Sequence, residues 1–260
     1  MGIIRGSALV IIGVIFFVGL LVCGAFLTVA NSLEYENIQS ELVPVVEEVV
    51  SETLVPSLAN DYSNLLVLCQ NTTTLNYSVG DLSANILCVD VVQGIENLTS
   101  KIINDKVKEI YYQEYDCNFL DCETENGIPF YLVSEHSKNY FSGKFYFVAF
   151  VLFLLLGVIF ILTEIRSNAF ILAGGLIVLA SLPFSKLDWF VSIFARIDFL
   201  QFFTFMFNEA FSVFVKFLVW GVLVLGAGII WKFFSVGFKI NSFVEKFKGE
   251  KKVVKKEIVK

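Results

Sequence analysis

The sequence has little charge and almost no histidine, and it contains none of the short motifs that usually carry catalysis. Only 17% of its 260 residues are charged, and His136 is the one histidine. There is no glycine-rich phosphate loop, no H-E-x-x-H, no G-x-S-x-G and no C-x-x-C pair. These absences argue against phosphate-loop, zinc-hydrolase, serine-hydrolase and thiol-redox enzymes. We therefore expect a non-enzymatic protein that needs no cofactor and no metal.

The chain is instead rich in apolar residues that are gathered in long blocks. Hydrophobic residues make up 56% of it, and 28 of them are phenylalanines. A soluble domain usually has about a quarter of its residues charged, well above the value here. The composition predicts an integral membrane protein of the mainly α class, because apolar runs of this length need lipid around them.

Four apolar blocks are long enough to cross a membrane as helices. A hydrocarbon core of about 30 Å needs about 20 helical residues. The fourth block has to begin near Ala210, since its uncharged part alone is too short, and Lys216 then lies in one leaflet. The predicted spans cover residues 7–30, 145–163, 169–185 and 210–232.

Basic residues near the span ends predict the orientation. Arg5 precedes the first span, Arg166 lies between the second and third, and a lysine-rich tail follows the fourth. With four spans all three fall on one side, which the positive-inside rule identifies as the cytoplasm. The expectation is a multi-pass cell-membrane protein with cytoplasmic segments at 1–6, 164–168 and 233–260, and with residues 31–144 outside.

Two other topologies are disfavoured. A fifth span over residues 187–206 would bury Asp188, Arg196 and Asp198 and would move the basic tail outside. An interfacial or re-entrant segment over 186–209 is therefore expected instead. Cleavage of the first span as a signal peptide is disfavoured, because its apolar run exceeds the 7–15 residues of such signals.

The segment after the first span is strongly acidic. Residues 31–143 contain 18 Asp and Glu residues against 4 lysines, a net charge of −14. Such a charge argues against nucleic acid as a partner. The expected partners are the lipid bilayer and either a second copy of the chain or another membrane or surface protein.

Helical periodicity in this segment predicts a helical-hairpin ectodomain between the first and second spans. Apolar positions recur at three to five residues over 34–68, and at a period near 3.5 over 82–110. Asp81 resembles an N-cap for the second run. The polar tip of the hairpin would lie at 70–81.

Three local features qualify this picture. Pro44 and Pro56 should each kink or restart the first helix. Gly94 should weaken the second helix slightly. Residues 127–133 have the pattern of a short edge strand.

Four of the five cysteines lie in the acidic segment, and an even number outside the cell favours disulfides. Three pairings are open to Cys69, Cys88, Cys117 and Cys122, and we prefer Cys69–Cys88 with Cys117–Cys122. A zinc site is disfavoured because the single x₄ spacing has no partner pair and no neighbouring histidine. Cys23, inside the first span, is expected to be a packing residue.

Three N-x-[ST] sequences are acceptors for N-glycosylation if this segment is outside. They begin at Asn71, Asn76 and Asn97, and chance alone predicts about two in a segment of this composition. The sequence therefore makes glycosylation chemically allowed without establishing it.

The C-terminal tail has an apolar stripe among lysines, at Ile240, Phe243, Val244 and Phe247. This pattern predicts an amphipathic helix lying on anionic headgroups, followed by a solvated end. The lysines assigned to the membrane surface are Lys246, Lys248, Lys251, Lys252, Lys255 and Lys256.

No family is claimed from these residues, since the outer segment has neither the W…C…C pattern of claudin-like proteins nor the Cys-Cys-Gly of tetraspanins. The leading hypothesis is a membrane protein whose disulfide-stapled ectodomain binds another protein or its own copy, as a scaffold, adhesion or envelope component. The second is a sensor or accessory subunit coupled to a cytoplasmic partner. The third is a transporter or channel component, which the uncharged first three spans disfavour.

Overall fold

The computed structural model describes the backbone of residues 3–79, 82–115, 129–187 and 205–257, and it is mainly helical. Side chains are described within these ranges except at residues 3, 42, 45–46, 48–54, 79, 82–83, 129–130, 205 and 236–257. The chain forms two compact units. The span unit comprises residues 1–25, 145–193 and 210–260, and the intervening unit comprises 26–144 and 194–209.

Four helices are long and apolar enough to cross a membrane. They are α1 (Ile3–Ser32), α5 (Glu135–Leu162), α6 (Arg166–Ser181) with the 3₁₀ turn Leu182–Lys186 that follows it, and α7 (Ala210–Glu257). Helix α7 continues to Glu257, whereas the predicted amphipathic helix ended near Phe247. The lysines and glutamates of that end are good helix formers, which accounts for the difference.

Helices α6 and α7 pack at close range because glycines face the contact. A Cβ atom built on Gly174 would lie 2.7 Å from the Cα of Leu225, and one built on Gly228 would lie 2.8 Å from the amide nitrogen of Ile171. A Cβ on Gly175 would instead meet nothing within 4 Å. The two helices run in opposite directions, since low numbers on α6 meet high numbers on α7.

Arg5 ties the start of α1 to the end of α5. Its Nε donates to the carbonyl of Leu162 at 2.5 Å and its Nη2 to that of Ile161 at 3.1 Å. A carboxylate oxygen of Glu164 lies 3.8 Å from its Nη1. These carbonyls are among the last four of α5, which have no partner within the helix, so the guanidinium caps them.

Aromatic contacts join α5 to α6 and α6 to α7 at this end of the span unit. The ring centroids of Phe160 and Phe170 lie 5.6 Å apart, and Phe170 stacks on Trp231 at 5.8 Å. The start of α1, the turn that contains Glu164 and the stretch of α7 around Trp231 therefore share one end of this unit.

In the intervening unit, α2 (Tyr35–Leu68) is one continuous helix that contains both Pro44 and Pro56. Of the kink or restart expected at each proline, the restart is wrong, since the helix runs through both positions. A proline removes one backbone hydrogen bond from a helix and leaves the rest of the helix its own. Packing supplies the stability that is lost, because Ile38 and Leu58 on the same helix are fully buried.

Two strands follow, β1 (Thr74–Val79) and β2 (Leu82–Leu87), paired antiparallel with Val79 opposite Leu82. The expected helix beginning at Leu82 was therefore wrong over its first six residues. The sequences TLNYSV and LSANIL alternate in polarity, and the two-residue connection between them suits a hairpin. The apolar residues from Ile86 onward are spaced at a helical period, and extending that period back to Leu82 produced the wrong prediction.

The chain then forms α3 (Cys88–Val92) and α4 (Ile95–Tyr111). Gly94 separates them with φ of 110°, a conformation that glycine adopts without the penalty a Cβ would bring. Gly94 ends one helix and begins another, so its effect is larger than the weakening that was expected.

Residues Pro129–Val133 form a 3₁₀ turn, so the predicted edge strand is wrong over this part of its range. The hydroxyls of Ser134 and Ser137 both donate to the carbonyl of Tyr131, at 2.5 and 2.6 Å. These bonds satisfy a buried carbonyl that a strand would have left to a neighbouring strand.

Candidate functional site around the Cys69–Cys88 disulfide

A disulfide joins the end of α2 to the start of α3. Cys69 and Cys88 are bonded, with their Cα atoms 5.2 Å apart. The amide of Cys88 also donates to the carbonyl of Thr73 at 3.0 Å. The strand pair is thus closed off as a loop whose two ends are held together covalently.

A buried cluster supports this loop from one side. Its members are Leu58, Leu65, Ile86, Val91, Leu98 and Ile102. The hydroxyl of Tyr62 on α2 donates to the carbonyl of Val91 at 2.7 Å, which fixes α3 against α2. Gln39 donates to the Oδ1 of Asn104 at 2.7 Å, so α2 and α4 also meet far from the disulfide.

Tyr77 on β1 adds a polar contact to α2. Its hydroxyl donates to the Oδ2 of Asp61 at 3.1 Å. Burial, together with this hydrogen bond to a carboxylate, raises the pKa of Tyr77 to about 12. The phenol therefore stays neutral at ordinary pH and keeps donating.

Five large aliphatic side chains near the disulfide are exposed to solvent. We call them the bridge patch: Val67, Leu68, Leu87, Val89 and Val92, which are between 46 and 71% exposed. Leu68, Leu87 and Val89 each directly adjoin a bridged cysteine. One 5.2 Å bridge and two peptide steps of about 3.8 Å keep the Cα of Leu68 within about 13 Å of the other two.

The concentration of these side chains is unusual for this unit. Eight large apolar or aromatic side chains are exposed among its described residues, and six of them lie between residues 66 and 92. Single exposed apolar residues are ordinary, whereas a group of them marks an interaction surface. Sequence periodicity missed the patch because it placed Val89 and Val92 on one apolar helix stripe with residues such as Ile86, which is buried.

The three glycosylation sequences lie on exposed asparagines in different settings. Asn71 lies in the turn after α2, and Asn76 lies on β1 opposite Asn85. Asn97 lies in the first turn of α4, where its side-chain amide donates to the carbonyl of Gln93 at 3.2 Å. The hydroxyl of Thr99, which completes that sequence, is buried and donates to the carbonyl of Ile95.

The other predicted site residues do not join this arrangement. Cys117 and Cys122 lie outside the described residues, as do the side chains of Lys246, Lys248, Lys251, Lys252, Lys255 and Lys256. Cys23 is a free thiol buried in α1. Within the described ranges no three His, Cys, Asp or Glu side chains come together as a metal site requires.

A second cluster in the intervening unit is structural. Its buried members are Val29, Leu33, Ile38, Tyr111, Val133 and Met206. The hydroxyl of Tyr111 donates to the carbonyl of Leu33 at 2.8 Å, and burial raises the pKa of this tyrosine well above its ordinary value. Tyr35 packs edge-on against Tyr111, with ring centroids 5.3 Å apart. A neutral buried phenol bonded to a carbonyl serves packing rather than proton transfer.

Known proteins offer no guide to this arrangement: no family model, curated protein or solved structure matches the chain.

Proposed function

We propose that this chain is a non-enzymatic, multi-pass membrane protein that presents a disulfide-stapled ectodomain for protein–protein interaction. The observation that carries the proposal is the bridge patch, a group of exposed aliphatic side chains held in place by a covalent bridge. Ordering an interaction surface before binding lowers the entropy lost on association. A surface of this kind suits a scaffold, adhesion or envelope component.

The proposed orientation has both termini in the cytoplasm and residues 31–144 outside. Arg5, Arg166 and Lys232 belong to the end of the span unit that Glu164 and Trp231 share, and basic residues mark the cytoplasmic side. The disulfide supports the same orientation, because such bonds persist in oxidising compartments. We further propose that the ectodomain is a helical hairpin of α2 and α4 topped by the strand pair.

Two further features belong to the proposal. The lysine-rich end of α7 binds anionic headgroups on the cytoplasmic side. Asn71 and Asn76, both exposed, are the better acceptors for glycans, since the hydroxyl of Thr99 is engaged beside Asn97.

Thiol labelling of intact cells tests the orientation. A membrane-impermeant maleimide should label Cys69 and Cys88 only after reduction and without permeabilisation. A Ser242→Cys variant, with its probe in the tail, should need permeabilisation to react. If labelling of Cys69 and Cys88 required permeabilisation, residues 31–144 would lie in the cytoplasm and the proposal would be wrong.

Native gel migration of mildly solubilised membranes tests the interaction. The wild-type chain should migrate as a complex, and the double variant Val89→Asp/Val92→Asp should release it. Val55→Asp is the matched control, since Val55 is an exposed valine outside the bridge patch. Equal migration of all three proteins would show that the bridge patch carries no interaction.

A further inference from the structure

The surroundings of the bridge patch carry charge of one sign. Residues 31–100 contain ten Asp and Glu residues and no Lys, Arg or His. The first cations after this stretch, Lys101 and Lys106, already lie 3.6 Å from Asp105 and 2.6 Å from Glu109. Nothing in residues 31–100 therefore offsets the acidic charge beside the patch.

Three of these carboxylates lie close to bridge-patch residues along the chain. Asp61 lies seven residues before Leu68 on α2, so the two share one helix face about 10 Å apart. Asp90 adjoins Val89 on α3, and Glu96 lies in the first turn of α4. None of the three forms an ion pair with another residue in the described ranges.

The three carboxylates disfavour two of the partners that could cover the bridge patch, a second copy of the chain and an anionic lipid surface. A second copy docked through the same patch would bring the two sets of carboxylates together, because a twofold interface places each patch against itself. Like charges facing each other across an interface are unfavourable. An anionic lipid surface is disfavoured for the same reason.

We propose that the bridge patch binds a cationic partner: a polypeptide segment of another protein with apolar side chains flanked by Lys or Arg. The aliphatic residues supply the buried centre, and Asp61, Asp90 and Glu96 supply a rim of opposite charge that steers association. This inference rests on the proposed function, and it names the chemistry of the partner.

Photo-crosslinking in isolated native membranes tests it. The reactive residue p-benzoylphenylalanine replaces Val89 in one variant and Ser40 in the other. Ser40 is exposed on the same helix as Leu68 but about 42 Å along it. The Val89 probe should give at least about fivefold more adduct, and raising NaCl from about 50 to about 500 mM should reduce that adduct several-fold.

Sequencing of the crosslinked peptide completes the test. A peptide of another protein with net positive charge and apolar residues supports the inference. A peptide of this chain, or one with net negative charge, overturns it while leaving the proposed interaction function standing. No adduct above the Ser40 level overturns the inference and the proposed function together.

Neutralising the rim separates charge from packing. The triple variant Asp61→Asn/Asp90→Asn/Glu96→Gln should lower adduct yield at the Val89 probe and flatten its salt dependence. The matched control, Glu36→Gln/Glu47→Gln/Glu114→Gln, removes the same charge from exposed positions away from the patch. Equal losses in both triple variants would show that only the overall charge matters and would overturn the assignment of the rim.

Discussion

The span unit and the intervening unit differ in which large apolar side chains they expose. On the spans, large apolar side chains such as Ile11, Phe153 and Trp220 are mostly exposed, at 60, 70 and 66%. Among the described residues of the intervening unit, comparable side chains are buried or half-buried, apart from the bridge patch, Val55, Leu66 and Tyr112. Exposed apolar residues are ordinary where lipid is the solvent, and they indicate a partner where water is.

The two units also hold their helices together differently. Burial from water does not drive helices together within a membrane, and the glycines that let the backbones of α6 and α7 approach are the device that such helices use. In the intervening unit, α2, α3 and α4 enclose an aliphatic cluster, and a disulfide reinforces it. Variants that disrupt the glycine contact or the disulfide measure how much each contributes to the stability of its unit.

The largest expected effect is that of Gly174→Leu. A side chain there collides with the backbone of Leu225, which cannot move aside, so we expect a loss of about 3 kcal/mol or more. Titration of the purified protein with SDS, followed by tryptophan fluorescence, reports it because Trp231 stacks on Phe170.

Gly175→Leu is the matched control for this variant. Its side chain would enter open space, so its unfolding midpoint should stay near that of the wild-type chain. Equal midpoints for the two variants would contradict close α6–α7 packing.

The next effect in size is removal of the disulfide by Cys69→Ser/Cys88→Ser. Opening a loop of this length should cost about 3 kcal/mol in the intervening unit. Hydrogen exchange measured by mass spectrometry should show faster exchange over residues 74–87. Cys23→Ser, which alters a thiol in the span unit, should leave that exchange unchanged, and unaltered protection in the double variant would refute the stapling role.

A smaller effect is expected from Tyr111→Phe, which deletes the hydroxyl that donates to the carbonyl of Leu33. The buried carbonyl loses its partner at about 1–2 kcal/mol, so exchange over residues 29–38 should quicken by about tenfold. Tyr112→Phe, at an exposed neighbouring ring, should have little effect. If both variants behave alike, the hydrogen bond contributes nothing measurable.

The smallest effect concerns alkaline pH. The pKa of Tyr77 lies near 12 against an ordinary value of 10, so the folded state holds this proton more tightly than the unfolded chain. The stability it contributes is complete below pH 10 and is lost as pH rises through about 12.

The phenolate absorbance of the wild-type chain is titrated against pH, and that of the Tyr77→Phe variant is subtracted from it. The difference should show a midpoint near pH 12. Asp61→Asn should lower that midpoint while leaving it above 10, because burial is the larger cause. A midpoint that Asp61→Asn leaves unchanged would exclude the carboxylate as a cause.

Sequence alone determined the four apolar helices, the preference for pairing Cys69 with Cys88 and the acidic character of residues 31–143. Each of these depends on residue type and on separation along the chain, and the requirement for lipid follows from run length. Periodicity also placed Ile38 and Leu58 correctly among the apolar positions of the first helical run, since both are fully buried.

Only the tertiary structure decided that residues 82–87 are a strand, that α2 passes through Pro44 and Pro56, and that the bridge patch exists. Short apolar runs fit either a helical or an extended period, and their partners across the fold select between the two. The patch depends on which aliphatic residues the cluster around Val91 has room to bury. That is a property of packing between elements distant in sequence, so Val89 and Val92 remained outside.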